Sequence, residues 1–370
     1  MVIGTPRETM AGEQRVGIVP QTVRELQAAG HRVLVETGAG VASGLSDRDF
    51  QQAGAEIAPA AEAVWAQSDL ILKVKQPEEP EFRYLRPDLA VFCYLLPASR
   101  PPLAQAFVES GATGLCFERF QDAAGARSLL RPMSEIAGKL AVLVGARLLT
   151  NVTGGPGRLL CAVTGAEPPG VLILGGGTVG TAAASVAAAL GARVTIIEAW
   201  EQRRRELQAQ FGDGVEILPE TRAGIAARLP RTDLLVNGVM WDLTRSDHLV
   251  TREMLRDMRP GSVIVDVSCD KHGAVETTEQ HTHDDPTYVV EGVTHYAVPN
   301  MPAMVPETAT FALANAVRPW ALKLACQGIA PALRESAELR SSLCFFAGHC
   351  TNERAARALG SPYTPADEVL

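Results

Sequence analysis

A glycine-rich turn between an apolar strand and a helix constrains the fold of this chain more than any other sequence feature. The apolar residues 171–174 lead into the turn 175–180, which reads GGGTVG, and an alanine-rich helical stretch follows. In such a G-x-G-x-x-G turn Gly175 permits the tight bend, Gly177 lets a pyrophosphate approach the backbone, and Gly180 lets the helix pack closely on the strand. The N–H groups at the helix N-terminus also favour phosphate. The turn therefore predicts a dinucleotide-binding α/β domain.

The acid at the end of the next predicted strand indicates which dinucleotide is bound. Glu198 follows the apolar run 193–197, where a carboxylate can accept hydrogen bonds from both ribose hydroxyls of NAD. A carboxylate repels the 2′-phosphate of NADP, so NAD is the predicted cofactor and NADP the weaker alternative. Arg203, Arg204 and Arg205 could hold such a phosphate, but we interpret them as a solvated helix face. The contacts predicted from this motif are Gly175, Gly177, Thr178, Val179, Gly180 and Glu198.

Strand and helix patterns alternate from the first residues of the chain, which is typical of an α/β fold with parallel strands. The predicted strands are 2–5, 32–36, 70–74, 91–95, 114–117, 234–236 and 263–267. The predicted helices are 22–29, 46–53, 60–67, 103–110, 133–149 and 307–325. Because the glycine turn lies in the middle of the chain, we predict two Rossmann-like domains with parallel sheets. An NAD-binding domain, 129–304, would be inserted into a discontinuous substrate domain formed by 1–128 and 305–370.

Composition and charge argue against several classes of protein. The formal net charge is −8 and no basic stripe could neutralise phosphates, so we expect no nucleic-acid partner. No apolar run is long enough to cross a bilayer, and the first residues lack the basic-then-apolar order of a signal peptide. The seven cysteines are scattered without a C-x-x-C pair, so we expect reduced thiols, a cytoplasmic protein and no metal site.

Basic residues at the ends of two predicted strands are candidates for substrate binding, because α/β sheets bind ligands at that edge. Arg15 follows the first strand and could hold a carboxylate in a bidentate fork, or could form a surface salt bridge with Glu8 or Glu13. Strand alternation puts Lys73 and Lys75 on one side of their strand. They could border the ligand crevice or mark a solvated strand end.

Two acids lie near the end of the predicted strand 263–267. Asp266 lies within the apolar alternation and Asp270 just beyond it. One of them could face the nicotinamide, or Asp266 could brace a loop. Histidines occur in or near these segments at positions 248, 272, 281, 283 and 295, but a lone histidine is more often structural than catalytic, so no role is assigned to them.

Several ordered segments match one enzyme family. They are 4–8 together with Arg15, 72–77, 132–138, the turn 175–180, 295–302 and 308–315. On these residues the chain resembles the alanine dehydrogenase and transhydrogenase-subunit family over nearly its whole length. The resemblance implies an NAD(H)-dependent oxidoreductase that acts on the CH–NH group of an amino acid and reduces a 2-oxo acid or an imine. It also implies a homo-oligomer, either a dimer or a hexamer.

The resemblance carries roles to individual residues. Arg15 and Lys75 would bind the 2-oxo acid, with Lys75 near its carbonyl group, and Asp270 would orient the substrate and the ribose side of the site. Ser134 would contact NAD, and Asn300 would lie at the substrate end. The implied catalytic residues are Lys75 and Asp270, the implied substrate-binding residues are Arg15, Lys75, Tyr94 and Asn300, and the further cofactor contacts are Ser134, Val239 and Asp270.

One departure from the family pattern concerns proton transfer. Leu96 stands where alanine dehydrogenases carry a histidine that transfers a proton, and a leucine side chain cannot exchange one. Lys75, Asp270, Tyr94 or a water could take over that step. Alternatively, the reaction does not need that proton.

A second departure lies in the segment 237–249, which lacks the family's Pro-Gly-Ala-Lys-type loop. With 266–270 and 273–277 it is more similar to N5-(carboxyethyl)ornithine synthase and saccharopine-type enzymes, which reduce an imine made from an amino acid and a 2-oxo acid. Three hypotheses therefore stand. The chain is an amino-acid dehydrogenase, or an opine-type reductase that joins an amino acid to a 2-oxo acid through a secondary amine, or a catalytically inactive dinucleotide-binding protein.

Overall fold

The computed structural model describes residues 1–242 and 245–370, so Leu243 and Thr244 of the segment 237–249 lie outside the described residues. The chain divides into two compact units. The first combines both ends of the chain, Met1–Met133 and Ala303–Leu370, and the second is the continuous stretch Ser134–Pro302. Each unit is built around one β-sheet.

Strands occur in both units. They are β1 (Val2–Thr5), β2 (Arg32–Glu36), β3 (Glu56–Ala58), β4 (Leu70–Lys75), β5 (Ala90–Tyr94), β6 (Thr113–Cys116), β7 (Gly170–Leu174), β8 (Arg193–Glu198), β9 (Glu216–Pro219), β10 (Leu234–Asn237), β11 (Val263–Asp266), β12 (Thr287–Val290), β13 (Val293–Tyr296), β14 (Leu343–Phe346) and β15 (His349–Cys350).

Helices connect most of these strands. They are α1 (Pro20–Ala28), α2 (Asp47–Gln52), α3 (Ala61–Gln67), α4 (Pro101–Ser110), α5 (Arg131–Leu148), α6 (Thr178–Ala189), α7 (Glu201–Phe211), α8 (Arg222–Ala226), α9 (Pro306–Gln327), α10 (Ile329–Glu335), α11 (Ala337–Ser341), α12 (Glu353–Leu359) and α13 (Ala366–Val369). Short 3-10 helices lie at Val41–Ser43, Glu79–Tyr84, Pro97–Ser99, Asn151–Thr153, Gly212–Gly214, Leu229–Arg231, Glu253–Asp257 and Met301–Met304.

The sheet of the first unit has the order β15-β14-β6-β5-β4-β1-β2-β3. Strands β1 to β6 pair in parallel, whereas β14 pairs antiparallel with both β6 and β15. The predicted parallel pattern is therefore confirmed for the N-terminal strands, and the C-terminal segment adds an antiparallel edge. Every residue of β5 is buried, which is expected of a parallel strand covered by helices on both faces.

The sheet of the second unit has the order β12-β13-β11-β10-β7-β8-β9. All its pairs are parallel except β12 with β13. The central strands β7 and β10 are buried along their whole length, because apolar side chains from helices pack on both of their faces. A parallel sheet with its carboxyl ends at one edge is the arrangement in which α/β proteins bind ligands.

The cysteine prediction needs one correction. Cys116 on β6 and Cys344 on β14 form a disulfide, although 228 residues separate them in sequence. Adjacent antiparallel strands bring them together, which sequence spacing could not reveal. The remaining cysteines are free thiols: Cys93, Cys161, Cys269, Cys326 and Cys350.

Two kinds of feature are absent from the described ranges, 1–242 and 245–370. No helix in them combines the length and the apolar character needed to cross a membrane. No group of three or more histidine, cysteine or acidic side chains in them is arranged to hold a metal ion.

Candidate active site

The glycine turn connects β7 to α6 in the second unit. Gly175 has a φ of +85°, which favours glycine, and a Cβ atom on Gly180 would lie 1.8 Å from the carbonyl oxygen of Gly175. A Cβ atom on Gly177 would meet nothing within 4 Å. The first and third glycines are therefore required by the fold, whereas Gly177 borders open space that a ligand can enter.

Helix α5 packs against the start of α6. A Cβ atom on Gly138 would lie 2.1 Å from the carbonyl oxygen of Val179, so the two helices touch through their backbones. Ser134 lies four residues before Gly138 and hence on the same face of α5. This places Ser134 near the first turn of α6, which begins at Thr178.

Glu198 ends β8 and is 6% exposed. Its Oε2 accepts a hydrogen bond from the backbone N–H of Gly176 at 2.7 Å, and its Oε1 accepts one from the backbone N–H of Trp200 at 2.8 Å. Each carboxylate oxygen can still accept a second hydrogen bond. Glu198 therefore holds the glycine turn in place through the N–H of Gly176. Its oxygens can still accept hydrogen bonds from a ribose.

Two of the three arginines of α7 differ from the predicted solvated face, and only Arg205 lies on it. Arg203 donates through Nε to the carbonyl oxygen of Gly176 at 2.8 Å and through Nη2 to Thr181 at 2.9 Å. Arg204 donates to the carbonyl oxygen of Glu198, and Arg205 pairs with an acid on its own helix. Arg203 and Arg204 therefore brace the turn region.

Asp266 at the end of β11 is buried and braces its loop, as one of the two alternatives proposed. Its Oδ1 accepts hydrogen bonds from Asn237 Nδ2 and from the backbone N–H groups of Ser268 and Cys269, at 2.9 to 3.1 Å. Its Oδ2 accepts the hydroxyl of Thr278 at 2.5 Å. Both oxygens are thus committed to holding the loop.

That loop presents Asp270. Its carboxylate is half-buried, and burial raises its pKa, while a hydrogen bond from the backbone N–H of Trp241 lowers it. The preceding Cys269 has a φ of +54°, so the backbone turns sharply after the strand. Unlike Asp266, Asp270 is partly accessible at the sheet edge.

Two other residues predicted from the sequence lie at the same edge of this sheet. Val239 follows β10, and its Cγ2 lies 3.1 Å from where a Cβ atom on Gly175 would be, so it packs beside the glycine turn. Asn300 follows β13 with a φ of +65° and is half-buried. Both are therefore positioned by strand ends of the second unit.

In the first unit, Arg15 is 2% exposed and lies in a buried ion pair with Glu13. Its Nε donates to Glu13 Oε1 at 2.7 Å, and its Nη1 donates to the sulfur of Met133 at 3.0 Å. The sequence identified Glu13 as a partner in one alternative but placed the pair on the surface, which is wrong. The buried pair fixes the direction of the guanidinium.

Lys75 is the last residue of β4. Burial lowers its pKa, Arg15 and Arg100 lower it further, and Glu13 and Glu8 oppose that change. No side chain within residues 1–242 and 245–370 hydrogen-bonds or pairs with its Nζ. The Lys75 ammonium therefore lies at the carboxyl edge of the sheet without a side-chain partner among the described residues.

Lys73, two residues earlier on β4, has a different environment. It is fully buried, with Nζ 2.8 Å from Glu81 Oε1 and 3.7 Å from Glu8 Oε2. Glu8 also accepts hydrogen bonds from the backbone N–H groups of Val74 at 2.6 Å and Lys75 at 3.3 Å. The sequence left two alternatives for Lys73, a place at the ligand crevice or a solvated strand end. Both are wrong, because Lys73 is buried inside the unit and paired with acids there.

Tyr94 on β5 pairs in register with Lys75. Its hydroxyl donates to the carbonyl oxygen of Leu129 at 2.8 Å, and its ring packs edge-on against Phe117. Burial raises its pKa far above the ordinary value. These contacts argue against Tyr94 as the proton donor that takes over from the family histidine at the position of Leu96.

Leu96 is 43% exposed and has a φ of +46°. Its backbone N–H donates to Oε1 of Glu118 at 2.6 Å. Sequence reasoning missed Glu118, although an acid directly after the predicted strand 114–117, next to the strand that ends at Leu95, was a usable signal. Burial raises the pKa of Glu118, and backbone hydrogen bonds and Lys75 oppose the rise.

His295 and His248 are held by hydrogen bonds to hydroxyl or backbone groups of their own unit. His295 on β13 bonds Thr277 at 2.8 Å and the carbonyl oxygen of Val293 at 3.0 Å. Burial lowers its pKa to about 4, so it is neutral at physiological pH. His248 bonds the carbonyl oxygen of Gly273 at 2.8 Å.

Comparison with known proteins gives a family for this chain. Residues 4–137 match the model described as alanine dehydrogenase/PNT, N-terminal domain, and residues 141–353 match the corresponding C-terminal domain. The chain is 44% identical to an alanine dehydrogenase of Bacillus subtilis, covering 100% of this chain and 98% of that protein. It is 42% identical to an alanine dehydrogenase of Methanococcus maripaludis, covering 100% of both.

Solved structures agree with the sequence comparison. A structure of L-alanine dehydrogenase superposes with a TM-score of 0.92 at 41% identity, covering 97% of this chain and 99% of that one. A transhydrogenase from Sinorhizobium meliloti superposes with a TM-score of 0.81 at 24% identity, covering 95% and 100%, and shows the same fold. On both sequence and structure, this chain belongs to the alanine dehydrogenase/PNT family.

Proposed function

We propose that this chain catalyses the NAD(H)-dependent interconversion of alanine, or a similar small amino acid, with its 2-oxo acid and ammonia. The unpaired ammonium of Lys75 carries the proposal, because it lies at the carboxyl edge of a sheet within electrostatic reach of Arg15. Two cations at such an edge suit a substrate that has both a carboxylate and a carbonyl oxygen. Relatives at 42% and 44% identity named alanine dehydrogenase support the same reaction.

The second unit fits NAD. Gly177 borders open space, the N–H groups of the first turn of α6 lie beside it, and Glu198 keeps acceptor capacity. When bound, NAD would supply the nicotinamide ring that serves as hydride acceptor for the Cα–H bond of the amino acid. The residues proposed to hold it are Ser134, Gly175, Gly177, Thr178, Val179, Gly180, Glu198, Val239 and Asp270.

The substrate side rests on Arg15, Lys75, Tyr94 and Asn300. Arg15 has a direction fixed by Glu13, so it offers a preset cation to the substrate carboxylate. Lys75 donates to the carbonyl oxygen of the 2-oxo acid, and its lowered pKa lets it release and recover a proton as that oxygen changes charge. Asp270, which is partly accessible, orients the amine end of the substrate.

We also propose that the unit Ser134–Pro302 corresponds to the predicted NAD-binding domain 129–304, and that the unit formed by the chain ends corresponds to the substrate domain. A homo-oligomer, dimer or hexamer, and a cytoplasmic location stay predictions from the sequence. Size-exclusion chromatography with light scattering measures the first of these directly.

Leu96 supports a second candidate, an opine-type reductase. An imine that arrives already protonated needs less acid help at nitrogen than a carbonyl that must form a carbinolamine. The exposed, aliphatic side chain of Leu96 is compatible with such a substrate. The amine donor would then be an amino acid in place of ammonia.

One set of assays separates the candidates. Purified protein receives NADH with pyruvate or glyoxylate, first with ammonium and then with individual amino acids, and NADH oxidation is followed. Turnover with ammonium alone supports the dehydrogenase. Turnover only with an added amino acid supports the opine-type reductase, and calorimetric NADH binding without turnover in any mixture indicates an inactive dinucleotide-binding protein.

A further inference from the structure

The two carboxylate oxygens of Glu118 have different surroundings. Oε1 accepts the backbone N–H of Leu96 at 2.6 Å. Oε2 is inaccessible to solvent and has no hydrogen-bond partner within the part of the chain that the model describes. A buried oxygen without a donor is costly, so native proteins seldom keep one without a purpose.

The sheet brings Glu118 and Lys75 to the same edge. Strands β4 and β6 flank β5, with Lys75 in register with Tyr94 and Cys93 in register with Cys116. Two strand spacings put β4 and β6 about 9.5 Å apart. Lys75 ends β4 and Glu118 lies two residues beyond β6, so both side chains start from the same edge, where Lys75 acts electrostatically on Glu118 without a hydrogen bond to its Oε2.

Burial acts on these two groups in opposite directions. It raises the pKa of Glu118, which Lys75 opposes, and it lowers the pKa of Lys75. The gap in proton affinity between an ordinary lysine and an ordinary glutamate, about six pKa units, is therefore narrowed. A narrower gap makes proton exchange between the two groups easier.

Other charged or titratable groups face this pair. Those that interact with Lys75 are Arg15, Glu13, Glu8 and Arg100, and those that interact with Glu118 are Cys93, Tyr94 and Arg119. Cys93 and Tyr94 keep their protons, because burial raises the pKa of each well above its ordinary value. Of the titratable groups on or just beyond β5 and β6, Glu118 is thus the acid that can exchange a proton with Lys75.

We propose that Glu118 is the proton partner of Lys75: its Oε2 takes up the proton that the Lys75 ammonium releases and later returns it. In the forward step an N–H bond of Lys75 breaks, its electron pair stays on Nζ, and an O–H bond forms at Oε2. The two charged groups become two neutral groups, and no other reactant is consumed. The inference rests on the proposed function, since Lys75 is the substrate-contacting group there, and Glu118 acts through it as a positioning residue.

The direct test measures the pKa of Lys75 from the pH dependence of its acetylation, read by peptide mass spectrometry with the exposed Lys139 as internal reference. Glu118→Gln keeps an acceptor for the Leu96 N–H but loses the charge and the proton. We expect this change to lower the pKa of Lys75 by about one unit, and the matched surface control Glu109→Gln to leave it unchanged. An unaltered Lys75 pKa in Glu118→Gln would overturn the inference.

A second variant keeps the inference testable if Glu118→Gln does not fold. If Glu118→Gln alone does not fold, its unmatched Lys75 cation is the expected cause. The double variant Lys75→Met/Glu118→Gln removes both charges and should then restore folding, as judged by circular dichroism. Continued failure of the double variant would contradict the pairing of these two residues.

Kinetics separate this inference from the proposed function. With pyruvate and ammonium, the alkaline limb of kcat/KM should move to lower pH by about one unit in Glu118→Gln, whereas NADH affinity should not change. A purely structural role for Glu118 would leave that limb in place. If the wild-type protein shows no turnover, the proposed function fails, and the acetylation experiment still decides whether Glu118 controls Lys75.

Discussion

The two sheets present different chemical groups at their carboxyl edges. The edge of the first sheet holds charged side chains: Arg15 is buried and pairs with Glu13, Lys73 is buried and pairs with Glu81, and Lys75 is half-buried. The edge of the second sheet presents backbone around Gly175 to Gly180, and its acids Glu198 and Asp266 accept hydrogen bonds from backbone, amide and hydroxyl donors. Parallel sheets of the same kind therefore support two kinds of recognition, one by side-chain charge and one by main-chain shape.

This difference predicts which substitutions each edge should tolerate. A charge-based edge is sensitive to the removal of a charge and to pH, because a buried ion without its partner is costly. A backbone-based edge is sensitive to added volume, because no rotamer change can move a main-chain atom. The four predictions below test this contrast.

The largest effect is expected from removing the unpaired charge of the first edge. Lys75→Ala should lower kcat/KM for pyruvate and ammonium by about 10³-fold, because the carbonyl oxygen loses its donor. Lys75→Arg keeps the charge but not the readily released proton, so it should recover only part of the loss. Steady-state kinetics and NADH calorimetry provide the measurements. A Lys75→Ala variant with wild-type activity would remove the basis of the proposed function.

The next effect concerns pH and the buried acid Glu8. Burial raises its pKa to about 7, with Glu13 and Glu81 adding to the rise and Lys73 and the Val74 N–H opposing it. A folded-state pKa above the unfolded value means that the folded state binds the extra proton, so stability present below about pH 4.5 is lost as pH rises to about 7. The loss is about 3 kcal/mol.

Glu8→Gln tests this loss because an amide oxygen can still accept the Val74 N–H. Urea unfolding at a series of pH values should show the variant gaining stability relative to wild type between pH 5 and 8 (roughly the window set by the two pKa values). Glu109→Gln, on the surface of the same unit, is the matched control. Parallel stability curves for Glu8→Gln and wild type would show that Glu8 does not titrate there.

A smaller effect is expected from adding volume to the second edge. In Gly180→Ala the new Cβ atom would meet a carbonyl oxygen at 1.8 Å, so we expect a loss of about 2 kcal/mol of unfolding free energy. Gly177→Ala is the matched control, since its Cβ atom would enter open space, and it should fold normally yet bind NADH more weakly. Thermal unfolding and calorimetry distinguish the two. Equal destabilisation by both substitutions would break the contrast between a structural and a ligand-facing glycine.

The smallest effect is expected at Leu96. Leu96→His should cost less than about 0.5 kcal/mol, because the side chain is exposed and histidine accepts the left-handed backbone better than leucine does. If the remaining site is of the alanine dehydrogenase type, ammonium-dependent turnover should rise about tenfold. Folded protein without any gain in turnover would favour the opine-type reductase instead.

Local patterns predicted much of the second unit. The strand, glycine turn and helix lie within twenty residues of one another, and the acid Glu198 follows directly on the next strand. The antiparallel strands β12, β14 and β15 were not predicted, because they are short and lie at sheet edges. Their pairing depends on partners that are distant in sequence or on a turn without a clear signal.

The first edge was harder to predict. Arg15 and Lys75 were identified, but the sequence placed the Arg15 pair on the surface and gave no role to Glu118. Burial decides both points, and burial comes from packing across the whole unit. The same holds for Asp266, whose bracing role depends on Asn237 and Thr278 from other segments.

By itself the sequence determined the α/β class, the dinucleotide motif and the family, because these depend on spacing within short segments and on the order of those segments. Only the tertiary structure decided which charges are paired, which are buried and which remain available. Lys73 and Lys75 are two residues apart on one strand, yet Glu8 and Glu81 enclose the first, and no side chain of residues 1–242 and 245–370 pairs with the second. The physical reason is that a charge acquires its chemistry from solvent access and from partners that the fold brings to it.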